Sequence, residues 1–459
     1  MKKILYIIGL AFIILNSCNT PTKTNKLQTV VIDTTKIETP FGKVEIQSPT
    51  FKNASKFNIT NFGAEINNKE ATTKAIAQAI DMANEAKGGI VIIPKGTWIT
   101  KKIHLKSNVN LHLKEGATLA FSSEPNDYLP PVHTTWEGME CYNYSPLIYA
   151  YECKNVAITG KGTLKAQMDT WKIWFARPAP HMNSLKRLYT LASTGIPVEE
   201  RQMVNDSAHL RPQFIQFNRC ENVKLEGISI KDSPFWVIHP YMSKNVTIRN
   251  VNVFAHGHNN DGVDPEMSEN VLIEDCIFDQ GDDAIAIKSG RNQDAWRLNS
   301  PTKNVIFRNC IVKNGHQLVA IGSELSGGIE NVFVDNCVVE EGAKLNHLLF
   351  IKTNERRGGY VKNMYVQNVS SGHIDKGILG IETDVLYQWR DLVPTYEKRL
   401  TPISNIYLTN VKAEDVKFVS RISAQSELPV TNVSLRNVEA TNVTEQLYIN
   451  ENVENFSIE

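Results

Sequence analysis

The chemistry of this chain is concentrated between positions 256 and 357. Asn259-Asn260-Asp261-Gly262 carries one acid, Gly281-Asp282-Asp283 two more, Gly315-His316 an imidazole and Ile351-Lys352 an ammonium group. Crowded carboxylates repel, so at least one of them is expected to hold a proton near neutral pH. A protonated acid beside ionised partners can protonate a leaving oxygen while a base activates water, as acid/base cleavage of a glycosidic bond requires. Lys352 at the same place supplies positive charge for an anionic sugar. All of this depends on proximity. Asp261 and Asp282 stand 21 residues apart, which means little for a helix or hairpin. It is about one turn of a β-solenoid, whose successive turns lie ~4.8 Å apart.

The repeat that would bring them together is legible. An Asn followed by an apolar residue recurs at Asn155, Asn222, Asn245, Asn270, Asn304, Asn331, Asn363, Asn405, Asn432 and Asn455. Most intervals are 23 to 34 residues; 42 before Asn405 and 67 before Asn222 mark inserted loops. Six residues past the marks from Asn222 to Asn432 stand Ile228, Val251, Cys276, Cys310, Cys337, Val369, Val411 and Val438. All are apolar or Cys, which describes equivalent inward positions, one per coil. The Asn is a turn residue, tolerant of left-handed geometry and able to bond along the stack. Cys276, Cys310 and Cys337 are expected to pack as small hydrophobes rather than to pair as disulfides. The fold class is therefore all-β, a right-handed parallel β-helix. The marks at Asn245, Asn270, Asn304 and Asn331 open four consecutive coils, each with one polar cluster. Four rungs then bring three acids, a histidine and a lysine to one patch.

The N-terminus reads as an address. Met1-Lys2-Lys3 is basic, Ile4 to Leu15 is apolar but short for a bilayer span, and Leu15-Asn16-Ser17-Cys18 fits a bacterial lipoprotein cleavage box. Residues 1–17 are thus expected to be a lipoprotein signal peptide, with Cys18 lipidated and the mature chain exported. Residues 18–52 read as a flexible tether and 53–459 as the β-helix. Glu70 to Lys87 has helical apolar spacing ended by Gly88-Gly89, and suits a cap over the first coil. Short strands follow at Ile90–Ile93, Val109–Leu113 and Leu147–Tyr151. With 49 basic and 49 acidic residues, no overall basic field argues for nucleic acid or anionic lipid. The membrane is expected to be met only through the anchor, and the chain to be a monomer.

From about Asn58 to Ile458 the sequence resembles glycoside hydrolase family 28, the polygalacturonases of pectin breakdown. Phe57 to Leu119, Ser233 to Pro240 and His256 to Arg291 are similar to bacterial exo-acting members. The family's four signatures, Asn-Thr-Asp, Asp-Asp, Gly-His-Gly and Arg-Ile-Lys, stand here as Asn259-Asn260-Asp261, Asp282-Asp283, Gly315-His316-Gln317 and Phe350-Ile351-Lys352. The resemblance implies that Asp282 is the general acid and that Asp261 and Asp283 hold the attacking water. It implies that His316 tunes the acid, that Lys352 contacts a galacturonate carboxylate, and that Asn260 belongs to the binding site. It further implies inversion at the anomeric carbon, a pectic substrate, and no metal or other cofactor.

One departure bears on the substrate. Phe350 replaces an arginine that grips a uronate carboxylate in the family, a contact worth roughly 1.5–3 kcal/mol. A Phe favours the apolar face of a neutral sugar, so one subsite is open to rhamnose and the enzyme to a rhamnogalacturonan substrate. Arg356 or Arg357 stands near enough to compensate. Lys288 and Arg291 follow the acid pair and are candidate uronate contacts. Trp236 and Trp296 are sugar-stacking or wall residues, Tyr387 and Trp389 a subsite closure, and Asp264 a buried turn ligand. His256 and His258 lack further ligands at metal spacing. The insertion from Trp171 to Pro212 emerges before the catalytic rungs and is expected to wall off one end of the cleft, which gives exo action. A calcium-dependent pectate lyase and a non-catalytic carbohydrate-binding β-helix are the other classes. The order of signatures disfavours the first, and three acids with a histidine the second.

Overall fold

The recurring Asn residues form the spine of the molecule. The computed structural model describes residues 29–204, 209–385 and 396–459. Across it the ten marked Asn residues adopt φ of 56–62°. Each donates its side-chain amide N–H to the Oδ1 of the Asn one coil earlier, from Asn155 on Asn108 (2.9 Å) through Asn331 on Asn304 (3.0 Å) to Asn455 on Asn432 (3.0 Å). Left-handed backbone is costly for most side chains and least so for Asn and Gly. The stacked amide also satisfies its own donor and acceptor. One residue type thus meets both demands of the turn.

Each coil contributes short parallel strands to three faces. In the coil of the acid pair these are Glu269–Glu274, Ile277–Gln280 and Ile285–Ile287. On the first face the register runs Val246, Val271, Val305, Val332, Met364, Ile406, Val433, all buried in one core that extends from Ile59 to Leu435. Cys276, Cys310 and Cys337 sit in that core with Val251, Val369 and Val411, and Val438 is half-buried. All six cysteines among the described residues are free and buried. Each coil therefore adds apolar side chains worth roughly 1.5–3 kcal/mol apiece when fully buried. The helix Lys69–Glu85, capped by Asn68 on the Ala71 N–H, lays Ala75, Ile76, Ala79, Ile80 and Ala83 over the first coil.

Two segments differ from the sequence reading. Residues 31–50, read as part of a tether, form an antiparallel hairpin of Val31–Thr39 and Gly42–Thr50. Its Ile37, Val44 and Ile46 pack on Leu272, Ile306 and Phe333, which point out of the first face. The alternation Lys43-Val44-Glu45-Ile46 is a one-sided strand pattern, and the apolar outer face of the sheet supplies its partner. The insertion after Trp171 is no open loop. Helix Ala179–Ser193 packs with a second hairpin, Val132–Trp136 and Met139–Asn143, around Trp136, Leu185, Leu188, Met203, Phe235 and Trp236, while helix Asp169–Phe175 turns Trp171 and Trp174 into the main core. Cys18, the apolar run before it, Tyr387 and Trp389 lie outside the described residues.

Candidate active site

Three consecutive coils deliver the acids and the imidazole to the same turn, between the second and third faces. Val263 bridges Ile285, and Ile285 pairs with Val319, so Asp261, Asp282-Asp283 and His316 enter their rungs just ahead of matched positions. The backbone ties the turns directly: Gly262 N–H donates to Asp283 O (2.9 Å) and His316 N–H to Asp282 O (2.8 Å). Gly315 permits this approach. At its φ of +156° a Cβ would stand 2.7 Å from Asp282 O. Lys352 ends the strand Leu345–Lys352 one coil further on, paired with Gly322. The four rungs inferred from the repeat do meet.

The cluster surrounds a cavity of about 270 Å³ that all three acids, His316, Lys288, Arg291 and Lys352 line. His316 Nδ1 lies 3.0 Å from Asp282 Oδ1, and Lys352 Nζ lies 3.5 Å from Asp283 Oδ2. Asp261 and Asp283 are buried, whereas Asp282 is half-buried and His316 exposed. Burial, reinforced by the Asp282 charge, pushes Asp261 up to about 7. Burial raises Asp283 also, against the pull of Lys352. Asp282 is held below its ordinary value: burial opposes ionisation, but the hydrogen bond and charge of His316 outweigh it. The same hydrogen bond raises His316 to about 9. Burial thus favours the protonated form of Asp261, and the His316 bond favours the ionised form of Asp282.

Lys288 is buried, and its ammonium is already divided among carboxylates. It lies 3.5 Å from Asp261 Oδ2, 3.6 Å from Asp264 Oδ1 and 3.4 Å from Glu324 Oε2, and 4.6 Å over the Trp236 ring. Asp264, read as a buried turn ligand, is fully buried, and burial beside Asp261 raises it well above the carboxylate range. Glu324 also binds Arg291, which reaches Glu137 at 3.2 Å. Burial works against the Glu324 charge, yet Arg291 and Lys288 keep it far below the usual range.

Three expected binding residues are placed elsewhere. Asn260 is buried, donating to Ser233 O (3.0 Å) and Phe235 O (2.9 Å) and accepting from Gly257 N–H (2.7 Å), so it shapes the turn instead of lining the cavity. Phe350 shares the outward side of its strand with Lys352, 5.8 Å from that ammonium, but stacks on His347 at 4.5 Å and is 7% exposed. Arg357 is buried, donating to Ser323 O and Asn292 Oδ1, both at 2.6 Å. Neither Phe350 nor Arg357 lines the cavity. Trp236 does line it, while Trp296 lies under Arg399 with its N–H on Arg357 O. His256 pairs with Asp279.

Glu137, Arg177, Ser323 and Glu324 line the cavity without having been singled out as site residues. Glu137 and Arg177 come from the hairpin turn and the inserted segment, at sequence distances no period connects. Arg211, at the end of that segment, is buried and donates to Asn259 Oδ1 (2.9 Å) and His258 O (2.7 Å). The insertion therefore holds the turn that carries Asp261. For Glu324, the signal was an acid two residues past the inward strand Gln317–Gly322.

A family model described as glycosyl hydrolases family 28 matches residues 91–457. A probable polygalacturonase of Vitis vinifera is 27% identical over 404 residues, covering 84% of this chain and 74% of that protein. An exo-poly-alpha-D-galacturonosidase of Dickeya chrysanthemi is 26% identical over 307 residues, 62% of this chain and 50% of that one. Among solved structures, a hyperthermoactive exopolygalacturonase from Thermotoga maritima matches with a TM-score of 0.82 at 34% identity, covering 90% of this chain and 93% of its own. With its acids on consecutive rungs of a parallel β-helix and a family match over most of its length, the chain belongs to glycosyl hydrolases family 28 and is a glycoside hydrolase.

Proposed function

We propose that this hydrolase removes galacturonate from the end of a pectic chain by an inverting acid/base reaction. The observation that carries the reading is geometric: Asp261, Asp282 and Asp283 stand on adjacent rungs, with His316 Nδ1 3.0 Å from Asp282, in a cavity that also presents Lys288, Arg291, Lys352 and Arg177. Asp282, the least buried acid and the one bonded to His316, gives its proton to the leaving glycosidic oxygen. Asp261 and Asp283 orient a water, take its proton as it attacks the anomeric carbon, and leave the product inverted. The bond to His316 favours the ionised form of Asp282. An anionic sugar that excludes water beside it raises its pKa, and one proton moves within the cluster from Asp261 to Asp282. That transfer arms the acid and frees the base in one step. His316 stays hydrogen-bonded to Asp282, and Lys352 stays beside the Asp283 carboxylate.

Exo action is supported by the inserted helices and the second hairpin, which bring Arg177 and Glu137 onto the cavity and narrow it around one end of a substrate. It is supported also by the similarity to the Thermotoga maritima exopolygalacturonase. The same proposal places the enzyme outside the cytoplasm, tethered through lipid on Cys18 and acting as a monomer.

Asp282→Asn tests the assignment, because an amide cannot donate the proton. Turnover of trigalacturonate should fall by at least about a hundredfold with the fold intact, given the 10²–10⁴-fold typical of general acid catalysis. Retained turnover in the folded variant would sink it. The product profile on polygalacturonate should show monomer from the outset, and a random ladder would exclude exo action. Ligand atoms of Asp282, Asp283 and His316 lie within 4.8 Å of one another, close enough for a cation, so the assay is repeated with chelator. Loss of activity with unsaturated products would point to a lyase instead.

A further inference from the structure

A second, basic groove of about 850 Å³ lies on the outer side of the first face, away from the catalytic turn. Its floor is mixed, with the apolar Ile90 and Ile92 in register with Asn110 and His112 of the next coil and with Thr159 of the one after. The end of the N-terminal hairpin, Pro49 to Phe51, contributes to its wall. Five lysines line it: Lys52, Lys56, Lys114, Lys161 and Lys224. Lys114 and Lys161 each follow a residue of the paired positions Leu113 and Gly160, so they stand one coil apart, ~4.8 Å. Lys56 and Lys224 head the same outward row, joined through Ile90, Asn110 and Ala157.

The charge is not balanced locally. Lys224 pairs with Glu226 at 2.8 Å, but among the described residues Lys52, Lys56, Lys114 and Lys161, all exposed, have no carboxylate within 4 Å. Further along the same sheet the pattern changes: Arg249 and Arg308 both pair with Glu274. Acids are supplied there coil by coil and withheld here, in a chain whose total charge is zero.

We propose that this groove binds an anionic polysaccharide, a uronate polymer of the kind cut at the catalytic site, and so holds the enzyme on its substrate. The identity of the polymer rests on the function proposed above; the site does not. Four unpaired ammonium groups along a concave groove match a chain with one carboxylate per sugar, and a floor of Ile90 and Ile92 beside Asn110, His112 and Thr159 suits sugar rings with both apolar faces and hydroxyls. A flat basic patch would suit an anionic membrane, and stacked aromatics a nucleic acid. This site is concave, and its lining offers no exposed Phe, Tyr or Trp.

The test uses the full chain carrying Asp282→Asn, so that polymer is not consumed, with excess trigalacturonate to fill the catalytic cavity. Electrophoresis through a gel containing polygalacturonate should retard this protein, and a gel containing neutral galactan should not. Adding Lys56→Glu, Lys114→Glu and Lys161→Glu should weaken the affinity about tenfold, since screened surface charges act at a few tenths of a kcal/mol to about 1 kcal/mol each. In the otherwise wild-type enzyme the same three changes should leave kcat/KM on trigalacturonate unchanged. Equal retardation with and without the three lysines would overturn the proposal. So would binding of the protein to phosphatidylserine vesicles but not to polygalacturonate, which would make the groove a membrane contact. If wild-type enzyme does not cleave trigalacturonate, the catalytic reading fails, and the gel still reports on the groove independently.

Discussion

Lys288→Met isolates the electrostatic core of the site. The ammonium stands 3.5 Å from Asp261, 3.6 Å from Asp264 and 3.4 Å from Glu324, all in a buried setting. Coulomb's law at an effective dielectric of about 20 gives about 5 kcal/mol for one such contact. At 1.36 kcal/mol per pKa unit that is a ceiling of roughly three and a half units on Asp261. Water entering the cavity and relaxation of Glu324 onto Arg291 reduce it, and a shift of about one to two units is expected. Its sign is fixed. Lys288 favours the ionised form of Asp261, which stands at about 7 with the cation present, so removing the cation raises it further. The active cluster holds one proton, and activity falls on the alkaline side as that proton is lost and on the acid side as a second is gained. Both pKa values rise in Lys288→Met, so the whole kcat/KM profile on trigalacturonate moves to higher pH. The loss of activity is therefore greatest on the acid side and least on the alkaline side. Met preserves the length of the side chain and its packing on Trp236, and a near-ultraviolet circular dichroism spectrum checks the fold. An unmoved profile, with kcat/KM lowered equally at every pH, would refute the reasoning and return Lys288 to a plain substrate contact.

Three further substitutions address the scaffold. Asn331→Ala loses two ladder hydrogen bonds and places a Cβ-bearing residue without polar compensation at φ 60°; unfolding should require about 2–3 kcal/mol less, and Asn331→Gly should recover about 1 kcal/mol of that. Equal losses for Ala and Gly in urea titration would remove the strain component. Cys310→Ala should cost about 1 kcal/mol of stability and leave kcat unchanged, since Cys310 is a buried free thiol far from the cavity's lining; detection of a Cys310 disulfide by mass spectrometry would contradict the packing. Phe350→Arg should lower Tm by stripping the stack on His347, with the ratio of activities on galacturonate and rhamnogalacturonan substrates unchanged, because the ring does not reach the cavity. A changed ratio would restore Phe350 to the specificity determinants.

The coil, the register and the catalytic turn are all legible in the order of residues. A solenoid has one short period, and each turn repeats the same local demands, so a left-handed Asn and an inward apolar residue recur where they can be counted. Asp261, Asp282, Asp283, His316 and Lys352 could be brought together by counting alone, because each lies at a matched point of consecutive coils. What lay outside the period was decided by tertiary structure. The hairpin at 31–50 is stable only because Leu272, Ile306 and Phe333 face outward to receive it, a fact distributed over three coils. Glu137, Arg177 and Glu324 reach the cavity from elements whose separations in sequence carry no information about distance in space. The charge states were decided there too. Three acids in a motif are chemically alike, and only burial and the His316 bond separate them, raising Asp261 and lowering Asp282. Phe350 points the same way: strand alternation placed it beside Lys352, but the neighbouring His347 took up its face. Periodicity is local and survives in the sequence; packing partners and dielectric surroundings are collective, and exist only once the coils have stacked.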